Sequence, residues 1–246
     1  GSFSADQVHA VVGSAATAQR LAQGTFEAVS IHPSGCSEAL QVWSAPVQLL
    51  AVKPQQIDAI AAAAPDVDHH PLLVSVLAGV SLDRLQRLFP GHRVVRAVPN
   101  TPALVGEGLT ALAWGEAISS EQRLKVRELF AGVSEVLELP EAKLDAFLAL
   151  TSSGPAFVAL MAEAMADGAV AAGLPRDLAH RLAHRTLAGT AALLDQRQLH
   201  PATLKDMVTS PGGTTIAGVR ALEQSGARSA FMEAVIAAAE RSRELA

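Results

Sequence analysis

The sequence predicts an α/β domain built on a mainly parallel, doubly wound sheet, followed by an all-helical domain. Ahead of Pro140, short β-branched and apolar runs alternate with helical patterns, while beyond it the strand signal stops. With 246 residues, 50% of them hydrophobic, the chain has room for two domains of ordinary size and a sizeable core.

Val8 to Val12 reads as a buried strand, and Ala15 to Gln23 as the helix after it, with Gly24 as its stop. Glu27 to Ile31 is a second β-branched run, and Val47 to Val52 is the clearest strand up to that point. Pro54 stands near the start of a helix reaching Ala63, where its missing N–H costs little. Leu72 to Leu77 is a strand ended by Gly79, after which Ser81 caps a helix from Leu82 to Phe89. Arg93 to Val98, Leu109 to Trp114 and Val136 to Leu139 are strands, the last two flanking a helix over Ser120 to Phe130. Helices then follow over Pro155 to Ala172, stopped by Gly173 and Pro175, and over Asp177 to Leu194. A short helix opens at Pro201, and Thr214 to Gln224 and Ser229 to Leu245 complete the set. The second long helix reads as apolar over much of its circumference, which packing against another subunit would explain, a fully buried central helix of a monomer being the alternative. The domains are expected at 1–140 and 141–246.

Composition narrows the function. Tyr is absent and aromatics make up 4%, which suits helices packed through small side chains. A net charge of −5 and a pI near 5.9, with no Lys/Arg block, argue against a nucleic-acid surface. Cys36 is the single cysteine, so no intrachain disulfide forms, and a cytosolic setting fits. No segment reads as a membrane span or a signal peptide, and Gly1-Ser2 reads as a trimmed end. The eight His are scattered, no metal set is expected, and no nucleophile–His–acid set can be picked out.

Several short stretches carry chemistry. Leu204 to Ile216 reads as a short helix, a Ser-Pro-Gly-Gly turn, and Thr214 and Thr215 opening the next helix. Orphan N–H groups and hydroxyls at such a helix start suit an anion; an unadorned turn before a helix is the structural alternative. Ala51-Val52-Lys53-Pro54 lies at the carboxyl end of a strand, where open α/β sheets hold ligands. On residue type Lys53 is a solvated lysine, with a phosphate or ribose contact as the functional alternative. Pro99-Asn100-Thr101-Pro102 is a stiff loop that fits a polar ligand or an ordinary Asx turn. Ser152 or Ser153 is expected to cap the helix at Pro155, and His200 to cap the one at Pro201 rather than act as an acid or base.

Together these pieces resemble the pyrroline-5-carboxylate reductases. The resemblance rests on Ala51 to Pro54, Arg96 to Pro102, Ser153 to Phe157, Glu163 to Gly168, Gly173 to Arg176 and Leu204 to Ile216, in order and at matching spacing from about Phe3 onward. It implies a Rossmann-like dinucleotide-binding domain and a helical domain that interlocks with a partner's in a homodimer, which in the family often assembles into decamers. The implied reaction is hydride transfer from NADPH, or NADH, to the imine carbon of 1-pyrroline-5-carboxylate, giving L-proline in the last step of its biosynthesis. By the resemblance, Ser210, Gly213, Thr214 and Thr215 surround the substrate, with Thr215 on the ring nitrogen; either Thr215 or an ordered water is the candidate proton donor. Ala51, Val52, Lys53 and Pro54 match the nicotinamide-ribose side of the cofactor, and Asn100 and Thr101 the loop beside the nicotinamide.

The chain departs from the family at its start. The family's first strand and Gly-x-Gly-x-x-[Gly/Ala] loop have no counterpart here; Val8 to Val12 matches its second strand, so a first βα unit of about 25 residues lies outside the 246. That strand is ordinarily central, so its neighbours are expected to show free edges. Gly13 to Thr17 then matches the loop at the adenosine ribose, where Ser14 and Thr17 stand near a 2′-phosphate and Arg20 is the first cation. An unseen N-terminus, a truncated gene product, or a degenerate non-catalytic relative acting as an oligomeric ligand-binding protein would each explain the departure. A β-hydroxyacid dehydrogenase is disfavoured by the Ser-Pro-Gly-Gly-Thr-Thr turn and the lack of that group's catalytic lysine pattern.

Overall fold

The computed structural model describes residues 4–23 and 26–244, so Gly1-Ser2, Phe3, the Gly24 stop and Leu245 lie outside the described residues. The chain forms two compact units, Gly1–Ser152 with Ala239–Ala246, and Ser153–Ala238.

The first unit runs β1 (His9–Val12), α1 (Ala15–Ala22), β2 (Ser30–Pro33), α2 (Ser37–Gln41), β3 (Val47–Leu50), α3 (Ile57–Ala63), β4 (Leu72–Ser75), α4 (Leu82–Leu88), β5 (Arg93–Pro99), β6 (Gly108–Trp114), α5 (Ser120–Ala131), β7 (Ser134–Glu138) and α6 (Leu144–Thr151). Strands pair in the order β3-β4-β5-β6-β7, all parallel except β5 with β6, where Val98 faces Ala111. β1 and β2 form a separate parallel pair, so the described residues hold two sheets where one was expected. Among the described residues neither β1 nor β3 has a strand on its other side, and Val11 and Leu49 on these strands are 40% and 53% exposed. Free edges on two strands agree with the resemblance, in which a strand lies between them.

Both faces of the larger sheet are buried, which explains the unbroken apolar run of β4. Leu73 and Val94 point to one face with Ile57, Leu85 and Phe89, while Leu72, Val74 and Val95 point to the other with Val126 and Phe130. The antiparallel step from β5 to β6 brings the chain past Gly108, where a Cβ would fall 2.6 Å from the Val133 carbonyl oxygen and against Ser134 Oγ. Only glycine fits that approach. Ser81 caps its helix as expected, accepting the Arg84 N–H at 3.2 Å, and Ser14 caps α1 likewise, accepting the Thr17 N–H at 3.2 Å.

The second unit holds α7 (Gly154–Ala171), α8 (Arg176–Gln196), α9 (Pro201–Met207), α10 (Thr214–Gln224) and most of α11 (Ala227–Glu244), whose last turns belong to the first unit. α7 ends as predicted, with Gly173 at φ 105° and the Leu174 N–H on the Ala169 carbonyl at 3.0 Å. α7 and α8 meet through Ala166, Ala179 and Ala183, small enough to let the backbones close in.

Three expectations need correction. Neither Ser152 nor Ser153 caps α7 with its hydroxyl: Ser153 holds the N-cap position with helical backbone angles and no side-chain bond to the helix, and Ser152 Oγ donates instead to the Pro99 carbonyl at 3.3 Å. The helix apolar over much of its circumference is α7, whose only charges are Glu163 and Asp167; α8 carries Asp177, His180, Arg181, His184 and Arg185. Finally, residues 141–171 are long and apolar enough to cross a membrane by length and a mean hydropathy of 1.5, because alanine and methionine score as apolar. That stretch is two helices, α6 and α7, joined at Ser152-Ser153.

Two buried polar groups set the behaviour of the sheet unit. Arg96, in the middle of β5, donates Nη1 to Glu141 Oε1 at 2.7 Å, and the same oxygen takes the Leu82 N–H at the start of α4, also at 2.7 Å. The Arg96 side chain is 9% exposed, and among the described residues its Nε has no partner and Glu141 is its one ion-pair partner. Glu141→Ala is expected to cost roughly 2–4 kcal/mol in urea denaturation, less than a fully buried pair because Glu141 is one-third exposed. An unchanged midpoint would show the pair to be idle.

His92 is the second group. It is 5% exposed, shares a hydrogen bond with Gln48 at 3.0 Å, leaves Nδ1 unpartnered, and lies edge-on to Trp43 and Phe89. Burial, and after it the charge of His69, holds its pKa below the ordinary 6.5. The unfolded chain therefore binds the proton first as pH falls below 6.5, and stability, full above that value, is lost toward the lower folded pKa. Thermal melts across this range should show His92→Phe losing less stability than the wild type on acidification. Equal losses would remove His92 from the account.

Candidate functional site

In the second unit the site is built from a turn. His200 caps α9 through Nδ1, which accepts the Ala202 N–H at 3.2 Å, as the sequence suggested. Thr209 Oγ1 donates to the Lys205 carbonyl at 2.6 Å, closing α9 just before Ser210. The Gly213 N–H then bonds the Ser210 carbonyl at 3.1 Å, with Pro211 and Gly212 between them and Gly212 at φ 68°. Proline at the second position and a positive-φ glycine at the third define a type II turn.

Gly213 leads into α10 in an extended conformation, φ −79° and ψ 175°, without a side-chain cap. The N–H groups of Thr214, Thr215 and Ile216 therefore stand at the helix start with no carbonyl ahead of them. Ser210, Thr214 and Thr215 are exposed, and their hydroxyls bond nothing else among the described residues. A Cβ on Gly213 would fall on Ser210 Oγ, so glycine there keeps the serine hydroxyl in place. Unspent donors, hydroxyls and the positive end of a helix together suit a carboxylate.

In the first unit, β3, β4 and β5 run parallel, so the segments after them leave the sheet at the same edge. After β3, Ala51 and Val52 lead to Lys53, whose N–H donates to Gln56 Oε1 at 3.2 Å and whose carbonyl takes the Gln56 N–H at 2.9 Å. Pro54 opens that single 3-10 turn. The Lys53 side chain is exposed and makes no ion pair among the described residues. The segment after β4, from Val76 to Gly79, leaves between the other two; the sequence marked it only as a strand end.

After β5, Asn100 is committed within the fold: Oδ1 accepts the Leu109 N–H at 2.8 Å and Nδ2 donates to the Thr151 carbonyl at 3.0 Å. Thr101 next to it is exposed. At the end of β1, Ser14 Oγ and Thr17 Oγ1 are 3.0 Å apart and share the cap of α1, with Arg20 exposed further along. The structure thus gathers Ala51 to Pro54, Asn100 and Thr101 at one sheet edge of the first unit. It gathers Ser210, Gly213, Thr214 and Thr215 at one turn of the second.

The family model described as pyrroline-5-carboxylate reductase dimerisation matches residues 141–245. A pyrroline-5-carboxylate reductase of Synechocystis sp. is 53% identical over 199 residues, 81% of this chain and 74% of that protein. The crystal structure of Plasmodium falciparum pyrroline carboxylate reductase with NADP bound superposes with a TM-score of 0.86 at 25% identity, over 98% of this chain and 88% of the other. The Streptococcus pyogenes 1-pyrroline-5-carboxylate reductase superposes with a TM-score of 0.87 at 26% identity, over 96% and 88%. On its fold, its strand-end loops and its Ser-Pro-Gly-Gly-Thr-Thr turn, the chain belongs to the pyrroline-5-carboxylate reductase family.

Proposed function

We propose that the protein reduces 1-pyrroline-5-carboxylate to L-proline with NADPH as hydride donor, NADH being the second choice. The observation that carries this reading is the turn from Ser210 to Thr215, whose N–H groups and hydroxyls the fold leaves unused. The Ser210 hydroxyl and the amides at the start of α10 would hold the substrate carboxylate, and Thr215 would hydrogen-bond the ring nitrogen and orient the imine. Holding the ring fixed against the donor carbon supplies most of the acceleration, since a protonated imine is already reactive. The cofactor supplies the hydride. Its nicotinamide-ribose side would lie along Ala51, Val52, Lys53 and Pro54 and beside Asn100 and Thr101, the exposed Lys53 and Thr101 offering polar contacts. Residues 1–140 would then bind cofactor, and 141–246 substrate.

A homodimer through the helical unit is part of the same reading, with a decamer as the higher assembly. Its support is the apolar surface of that unit, where Leu160, Met207, Leu222 and Met232 are 59–68% exposed. We assign that surface to a second copy rather than to a membrane, and propose no nucleic-acid partner at a net charge of −5. A cytoplasmic setting accords with a lone thiol, Cys36.

Mixing protein, NADPH and pyrroline-5-carboxylate should consume NADPH absorbance; no turnover by protein that binds both ligands would favour the non-catalytic reading. Thr215→Ala is expected to lower kcat about a hundredfold, and Thr215→Ser to restore much of it. Wild-type turnover in Thr215→Ala would strip that hydroxyl of its role. Gly213→Ala should fold normally, since a serine hydroxyl can swing aside, yet raise KM for the imine roughly tenfold through the lost carboxylate contact. An unchanged KM would place the carboxylate elsewhere.

A further inference from the structure

Helix α6 is strapped to the sheet near both ends. Ahead of its first turn, Glu141 holds Arg96, and Asp145 Oδ1 takes the Ser242 hydroxyl of α11 at 2.7 Å. At its far end the chain meets the loop after β5. Thr151 is the last residue of the helix, so its carbonyl has no partner along the helix. Asn100 Nδ2 fills that place at 3.0 Å, its Oδ1 holds the Leu109 N–H of β6 at 2.8 Å, and Ser152 Oγ donates to the Pro99 carbonyl at 3.3 Å.

The far side of this loop has no comparable hold. Leu104 and Val105 are 90% and 77% exposed, and the loop is otherwise closed by its own backbone bonds, such as Ala103 N–H to the Asn100 carbonyl at 3.2 Å. One amide therefore ties β5, β6 and α6 together immediately before Thr101. The same commitment leaves it one N–H and one lone pair, a poor provision for a ligand group.

We propose that Asn100 is a positioning residue: its amide clasps the loop after β5 to the C-terminal end of α6 and so fixes Thr101 for hydride transfer. This departs from the direct cofactor contact that the resemblance implies for Asn100, and it rests on the reductase reading. In Asn100→Asp the acceptor for Leu109 remains, but the donor is replaced by a carboxylate oxygen facing the Thr151 carbonyl. The clasp opens while shape and volume are kept. A loosened loop costs alignment at the reacting carbon and leaves the rest of the cofactor's binding surface intact.

The test compares wild type, Asn100→Asp and Ser152→Ala in three readouts: kcat with its isotope effect from 4-deuterated NADPH, NADPH affinity by fluorescence titration, and amide exchange at Ala103, whose N–H bonds the Asn100 carbonyl inside the loop. The expected result for Asn100→Asp is a kcat lower by about ten- to a hundredfold, a larger isotope effect, and an NADPH Kd within about twofold of wild type. Exchange at Ala103 should quicken, and Ser152→Ala should move kcat the same way by less. A raised Kd with kcat unchanged would make Asn100 a ligand and overturn the proposal, and so would a lower Tm with full turnover per folded molecule. Inactive wild type would sink the reductase reading instead, and Ala103 exchange would still decide the clasp, unchanged protection in Asn100→Asp overturning it.

Discussion

The helical unit has almost no core of its own, and the rest of the molecule must be understood around that deficit. Between Ser153 and Ala238 the buried hydrophobic residues are Ala162, Ala166, Ala179 and Ala183, each removing little apolar area. At about 25 cal/mol per Å², four alanines are far from offsetting the entropy of ordering five helices. The sheet unit is the opposite case, with Phe89, Ile57, Leu72, Leu85 and Leu112 all under 2% exposed. A surface from outside the unit would make up the difference, and a second copy, whose α7 is just as apolar, is the occupant we propose. The turn from Ser210 to Thr215 stands on this unit, so the geometry we propose for it would depend on the same cover.

Within the sheet unit, order comes from a few long-range polar ties across an apolar framework. Glu141 joins β5 to the start of α4, Gln48 joins β3 to His92, and Asn100 joins two strands to a helix end. Each satisfies a group that burial or helix geometry would otherwise leave orphaned. The carboxyl ends of β3 and β5 are thereby held on a rigid edge, the condition for aligning two reactants.

Much of this was legible in the sequence where one residue type has one physical consequence. The turn at Pro211 and Gly212, the stop at Gly173, and the cap at Ser81 follow from proline's fixed φ, glycine's positive φ and a hydroxyl beside a free N–H. Thr214–Gln224 was read to the residue because glycines mark its start. Short elements were harder: β2 lies at Ser30–Pro33 rather than Glu27 to Ile31, and the five-residue α2 shows no period long enough to detect. What stayed hidden was partnership at a distance. Asn100 lies 51 positions from Thr151 and Arg96 lies 45 from Glu141, so residue type announced polar capacity without saying that the fold had already used it. Ser152 was misread for the same reason, its hydroxyl serving a strand end 53 positions away instead of its own helix.

Sedimentation velocity of the wild-type protein at micromolar concentration tests the central claim, that the helical unit is completed by a second copy. The account predicts a dimer, or an even multiple of it, at twice the 25.5 kDa of the chain or more. A folded, monodisperse species of 25.5 kDa would contradict it.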